Sequence, residues 1–254
     1  MLANTSIELP YCGMPPTPVD LPMAWNSDWR LWLALAALAS AVTLTQRRGV
    51  FAAAWLALVV AYVSPLCAFT VALFAARSVH HVWLVVVAAP LLAMAFPQLG
   101  RRIDSHWALL VLVLVLALWH VPQAYRLVWI SHSFYWSLQL LLLVSAVIFW
   151  ARILQSLHRV HSQPTSEVVT ALAQIAVLSG VMGLIGAVLT FAPHVLYPEH
   201  GLAMLPYGLE PLQDQQLAGL LMWVPGGLPL AALAAYVLQR AWKGARERAE
   251  VAVA

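Results

Sequence analysis

Residues 107–125 read WALLVLVLVLALWHVPQAY, and the reading of this stretch decides the fold. The run from Trp107 to Trp119 is apolar throughout, and continued to Trp129 it is long enough to cross about 30 Å of hydrocarbon at 1.5 Å per residue. It sets an imidazole, His120, inside the membrane, about 20 Å along the helix axis from Trp107. Pro122 has no N–H to offer the carbonyl of Leu118, so a polar site is opened at the same depth.

The rest of the chain agrees with that reading. With 63% hydrophobic and 9% charged residues in 254, the chain is too apolar to hide its side chains in one soluble core. Seven apolar runs are legible: Trp29 to Thr45, Val50 to Phe74, Val79 to Phe96, Trp107 to Trp129, Phe134 to Ala151, Val168 to Ala192 and Asp214 to Leu238. They predict an all-α polytopic membrane bundle of about seven helices over residues 29–242, with an N-terminal segment 1–28 and a basic tail 243–254.

Charge orients the bundle. If every run spans, Arg47, Arg48, Arg101, Arg102, Arg152, Arg159, Arg240, Lys243, Arg246 and Arg248 share one side, and only Arg30, Arg77 and Arg126 take the other. The Lys/Arg bias places the first group in the cytoplasm, with the N-terminus outside and the C-terminus inside. The net charge of +3 is therefore a topology signal, and with no basic patch interleaved with aromatic residues it implies no nucleic-acid partner.

Residues 1–28 are polar and rich in Pro, and the first apolar run comes too late and is too long for a cleaved signal peptide. Cys12-Gly13-Met14 offers two soft sulfur donors, a pairing more often incidental than metal-binding. Cys67 lies within the second run, at a depth expected to differ from that of Cys12, so no disulfide is expected. Pro65 and Pro90 predict kinks. In the sixth run Ser179, Gly183 and Ala187 recur at fourfold spacing with Gly180 and Gly186 beside them, a pattern for close helix packing. The loop of about twenty residues after Pro193-His194 is long enough for a functional or capping role. Asp214 opens the seventh run as a candidate cap, with Ala218 and Met222 following on one face. Pro225-Gly226-Gly227-Leu228-Pro229 predicts a break near mid-membrane.

Chemistry concentrates on the outer side. His80, His81, His120, His132, His194, His200 and Asp214 come to that face, and only His106, His158 and His161 to the other. Ionisable groups are costly in the bilayer and imidazole is a common metal ligand, so the cluster is read as a functional site. Each histidine taken alone is equally well read as one that bonds a carbonyl or reaches to the interface.

Trp119-His120-Val121-Pro122 with Tyr125, His132, the Pro90-Leu91-Leu92 that follows His81, and Asp214-Gln215-Gln216-Leu217-Ala218-Gly219 with Met222-Trp223-Val224-Pro225-Gly226 resemble the multi-spanning CtaG family of bacterial cytochrome c oxidase assembly factors. The resemblance covers about residues 77 to 227. It implies a multi-pass protein of the bacterial cytoplasmic membrane that meets oxidase subunits and lipid and supplies copper on the outer side. The family's His-x-x-x-His pairs are halved here, since Arg77 stands four residues before His81 and Trp136 four after His132. A guanidinium is no ligand and repels a cation. The resemblance then leaves His81, His120 and His132 as copper ligands, with His80, His194, Asp214, Met222 and Tyr125 as further ligands or supports. A metal-free scaffold and a haem-binding electron carrier are the alternatives, and self-association stays open. Neither a phosphate-binding Gly loop nor His-Glu-x-x-His occurs, and no enzyme activity is expected.

Overall fold

The computed structural model describes residues 9–101, 104–159 and 165–253. Glu8, Arg102 and His161, and the side chains of Arg101, His158, Arg159 and Arg248, lie outside this description. Among the described residues there is no strand. The helices are α1 (Trp29–Ser40), α2 (Arg48–Tyr62), α3 (Pro65–Ala72), α4 (Phe74–Trp83), α5 (Ala89–Ala95), α6 (Ser105–Trp119), α7 (Pro122–Ile130), α8 (His132–Arg159), α9 (Thr165–Phe191) and α10 (Pro211–Val253).

Every apolar run of the sequence is helical, but fewer of them have the length of a span. Five do: Arg48–Ala72, Phe74–Ala95, His132–Ser156, Ser166–Phe191 and Pro211–Glu247. The run built on His120 reaches that length only as a pair, α6 with α7, and the two are bent by 79°. The first run, Trp29–Leu44, is shorter. Among the described residues five to six helices thus have the length and apolarity of a span, against the seven runs expected. The bend falls at Pro122, where no N–H is available to continue the ladder.

At three helix irregularities a side chain takes a freed carbonyl. At the end of α2 the Ser64 hydroxyl donates to Val60 O (2.5 Å). Between α4 and α5, Leu84–Ala88 forms a π-turn in which Ala89 N–H bonds Leu84 O. That wider register admits Pro90, and the Trp150 indole donates to Val85 O (2.6 Å). At the end of α6 the His120 N–H turns to Ala117 O, and the His120 ring takes over Leu116 O through Nδ1 (2.7 Å).

Two expectations are corrected. α10 does not break at Pro225-Gly226-Gly227-Leu228-Pro229 but runs on with both prolines inside. Continuation frees only the carbonyls of Leu221 and Pro225, whereas a break within hydrocarbon would strand more. α10 continues into the basic tail, its 43 residues reaching about 64 Å, longer than a bilayer core.

The second correction is the Cys12–Cys67 disulfide, with Cα atoms 5.4 Å apart. Pro65 restarts the chain as α3, so Cys67 stands in the first turn after a break rather than deep in a span, level with the N-terminal segment. That segment is a strap. Asn26 N–H donates to Val63 O (2.8 Å), the Tyr11 hydroxyl to Asp28 Oδ2 (2.8 Å) and the Tyr207 hydroxyl to Pro16 O (2.8 Å). The strap closes one end of the bundle, here termed the histidine end. Arg47, Met94, Pro97, Gln155 and Arg240 line a pocket at the opposite, arginine end.

α9 and α10 approach each other closely at their glycines. A Cβ on Gly186 would come 2.8 Å from Gly219 O, and one on Gly183 would touch the Trp223 indole at 3.5 Å. Of the small residues of the sixth run, Gly183 and Gly186 pack against α10 as their spacing predicts, while Gly180 faces open space.

Candidate functional site at the histidine end

The site is built on the first turns of α4. Leu73, extended at φ −124° and ψ 132°, separates α3 from α4, and its apolar side chain cannot cap the new helix. Asp214 of α10 does so instead: its carboxylate accepts from Phe74 N–H (2.7 Å) and Ala75 N–H (3.0 Å). The expected cap is therefore real but serves a neighbouring helix. Asp214, Ala218 and Met222 are all buried, as one face of α10 requires.

A helix that starts at Phe74 carries Phe74, Arg77 and His81 along one face. Phe74 stacks on Tyr197 with ring centroids 4.2 Å apart. His81 lies against Trp119 at 4.6 Å and faces His120 at 6.0 Å. His80 is buried against Tyr62 at 5.4 Å and lies 6.0 Å from His81. Both ring nitrogens of His80 and of His81 are buried without a hydrogen-bond partner. The His120 ring is different: Nδ1 must donate, because Leu116 O can only accept, and so the lone pair sits on Nε2.

Arg77 is 3% exposed, and its guanidinium lies 5.8 to 5.9 Å from the rings of Trp119, Tyr125 and Tyr135. Nη2 donates to Thr70 O (3.2 Å), while Nε and Nη1 have no partner.

The long loop before α10 completes the site. Gln215 fixes it, accepting from Leu196 N–H (2.7 Å) and donating to His194 O (3.2 Å). Tyr197 donates to His120 O (2.7 Å), covering the bend between α6 and α7. His200 is 4% exposed, and its Nδ1–H donates to Val71 O (3.0 Å). Its Nε2 accordingly accepts the Tyr125 hydroxyl (2.7 Å). Burial, and then the Arg77 charge, lower the His200 pKa to about 3, so the ring stays neutral.

That linkage has a sign. A histidine near 6.5 when unfolded and near 3 when folded binds more protons in the unfolded chain between those values, so stability falls as pH drops through that window. Thermal unfolding of detergent-solubilised protein from pH 7 to pH 4 is expected to show this fall, and His200→Gln to lessen it. An equal slope in the variant would sink the assignment.

The sequence-derived ligands do not all converge. Among the described residues no three His, Cys, Asp or Glu side chains come together as a metal-holding group, so His81, His120 and His132 do not form a three-ligand site. His132 is exposed, bonds Leu9 O through Nε2 (2.9 Å) and borders a groove with Tyr11, Asp28, Arg30 and Trp136. His194 is also exposed. His81 lies 6.0 Å from both His80 and His120, with Tyr125 in the surrounding wall. Sequence reasoning left Phe74, Tyr135 and Tyr197 off the list of site residues and placed His200 in the outer cluster without a role; only the length of the loop pointed to Tyr197.

The family model described as cytochrome c oxidase caa3 assembly factor (Caa3_CtaG) matches residues 29–244. The chain belongs to the Caa3_CtaG family. No curated protein and no solved structure matches it. The match takes in α1 and nearly all of α10, beyond the stretch from residue 77 to 227 that carried the resemblance. In this Caa3_CtaG chain the Trp119-His120 and Asp214-Gln215 elements have separate tasks. The first supplies a ring to the cluster; the second seats α4 and the loop around it.

Proposed function

We propose that this Caa3_CtaG chain assists assembly of a haem-copper cytochrome c oxidase by holding cargo copper, as Cu(I), between His81 and His120. The observation that carries the reading is their 6.0 Å ring separation combined with the His120 tautomer that Leu116 O fixes. Two imidazoles bound on opposite sides of one ion, with metal–nitrogen bonds of about 2 Å, place their centroids about 6 Å apart. His81 has both nitrogens free of partners, and the Leu116 carbonyl directs the Nε2 lone pair of His120. Two nitrogen donors suit a low-coordinate monovalent ion better than zinc, which takes four ligands.

The protein works as a non-enzymatic, multi-pass factor in the bacterial cytoplasmic membrane, with the histidine end outward, where oxidase subunits accept the metal. Support comes from the Lys/Arg bias and from the Cys12–Cys67 disulfide, a bond that persists in oxidising compartments. A metal-free scaffold is the second reading, favoured by the Arg77 charge within the cluster.

Copper analysis of protein purified under reducing conditions tests both. About one equivalent is expected in the wild type, with loss in His81→Ala and in His120→Ala and retention in His132→Ala. No copper in the wild type leaves the scaffold; iron with a Soret band indicates a haem carrier.

A further inference from the structure

Arg77 is buried in the site, yet copper handling gives it no task. A guanidinium stays protonated at any relevant pH. Taken out of water without a counter-charge it is costly, and facing aromatic rings offset only part of that cost. The rings of Trp119, Tyr125 and Tyr135 supply such contacts at 5.8 to 5.9 Å. Among the described residues no carboxylate lies within ion-pair distance of Arg77; Asp214 is engaged with Phe74 N–H and Ala75 N–H.

Several of the unpaired atoms around this cation are donors, alongside the Ser78 hydroxyl and the His80 and His81 rings, which carry no charge to balance it. Arg77 Nε and Nη1 have no acceptor, and neither has Trp119 Nε1 in the cage wall. Gln139 Nε2, one helical turn along α8 from Tyr135, is likewise unpaired. Donors of this kind call for a guest that only accepts. A cation is repelled there, and water satisfies hydrogen bonds but leaves the charge unbalanced.

We propose that Arg77, within the Trp119, Tyr125 and Tyr135 cage, binds a small inorganic anion of the halide class, which is chloride under ordinary conditions. The anion supplies the missing acceptor and the missing counter-charge together. The site stands independently of copper, and where copper is held it also offsets the repulsion that Arg77 exerts on an ion at His81 and His120.

The test uses copper-free protein in a nonionic detergent, so that failure of the copper reading leaves it intact. Chloride-35 resonance is expected to broaden on adding wild-type protein, to sharpen again with excess bromide, and to stay narrow with Arg77→Gln. A narrow line with the wild type, or equal broadening by a folded Arg77→Gln, overturns the proposal. Should that variant fail to fold, the wild type alone decides: its melting temperature rises when gluconate is replaced by chloride at constant ionic strength, since a ligand of the native state stabilises by mass action. No rise overturns the proposal.

Discussion

Asp214→Ala is expected to lower stability by about 3–5 kcal/mol, because two buried N–H groups lose a charged acceptor worth about 1.5–3 kcal/mol each. Nothing nearby replaces it. Leu73 has no polar side chain, and both Phe74 N–H and Ala75 N–H lie among buried residues at the start of α4. The carboxylate also faces the positive end of the helix dipole, so part of its value is charge and part is geometry. Asp214→Asn separates the two. One oxygen remains to accept a single N–H, while the amide NH₂ meets the other donor, and about half of the loss is expected. The measurement is thermal unfolding of the two variants in one detergent. Asn equal to Asp would show that charge has no part. The effect reaches the site because α4 carries Arg77, His80 and His81, and a first turn left uncapped lets all three move relative to His120.

The same capping contact shows what was and was not legible in the sequence. Helicity and membrane character follow from composition and from apolar runs, and every run is helical, several as two helices. The third run was expected to open at Val79, yet α4 begins at Phe74. No local signal marks that start, since its cap comes from a residue 140 positions away. Pro122 was legible as a disturbance because the missing N–H is local; the 79° bend it permits is tertiary. The Cys12–Cys67 disulfide was misjudged through depth, which depends on how far the break at Pro65 displaces the chain. His81 and His120 pair because both end up on interior faces near Trp119. His132, equally conspicuous in sequence, begins α8 on its outer surface and meets the strap. Arg77 was read as a defect in a metal site, but its aromatic surroundings come from α6, α7 and α8 and could not be read from its own neighbours.

Gly219→Ala is expected to be as damaging as loss of the carboxylate. A methyl group at this position would run into Gly186 O, Thr190 Oγ1 and Thr190 N. Overpacking a core costs about 1–3 kcal/mol when side chains can give way, and here two of the obstacles are backbone atoms of α9, so the upper end or more is expected. The Thr190 hydroxyl is itself held by Gly186 O (2.8 Å), which leaves it little freedom to withdraw. Gly180→Ala is the control. Its Cβ would meet nothing within 4 Å, so alanine's better helix propensity, about 0.8–1 kcal/mol, makes it neutral or stabilising. Equal melting temperatures for Gly219→Ala and Gly180→Ala would mean that the two helices are not held at this distance. The clash also acts on the site. Gly219 lies little more than one turn below Asp214 on the same rigid helix, so moving α10 off α9 carries the carboxylate with it. Gly219→Ala and Asp214→Ala should therefore combine to less than the sum of their separate losses, because the first already removes part of what the second deletes. Strict additivity would place the effect of Gly219 in helix packing alone and leave the seating of α4 to Asp214 by itself.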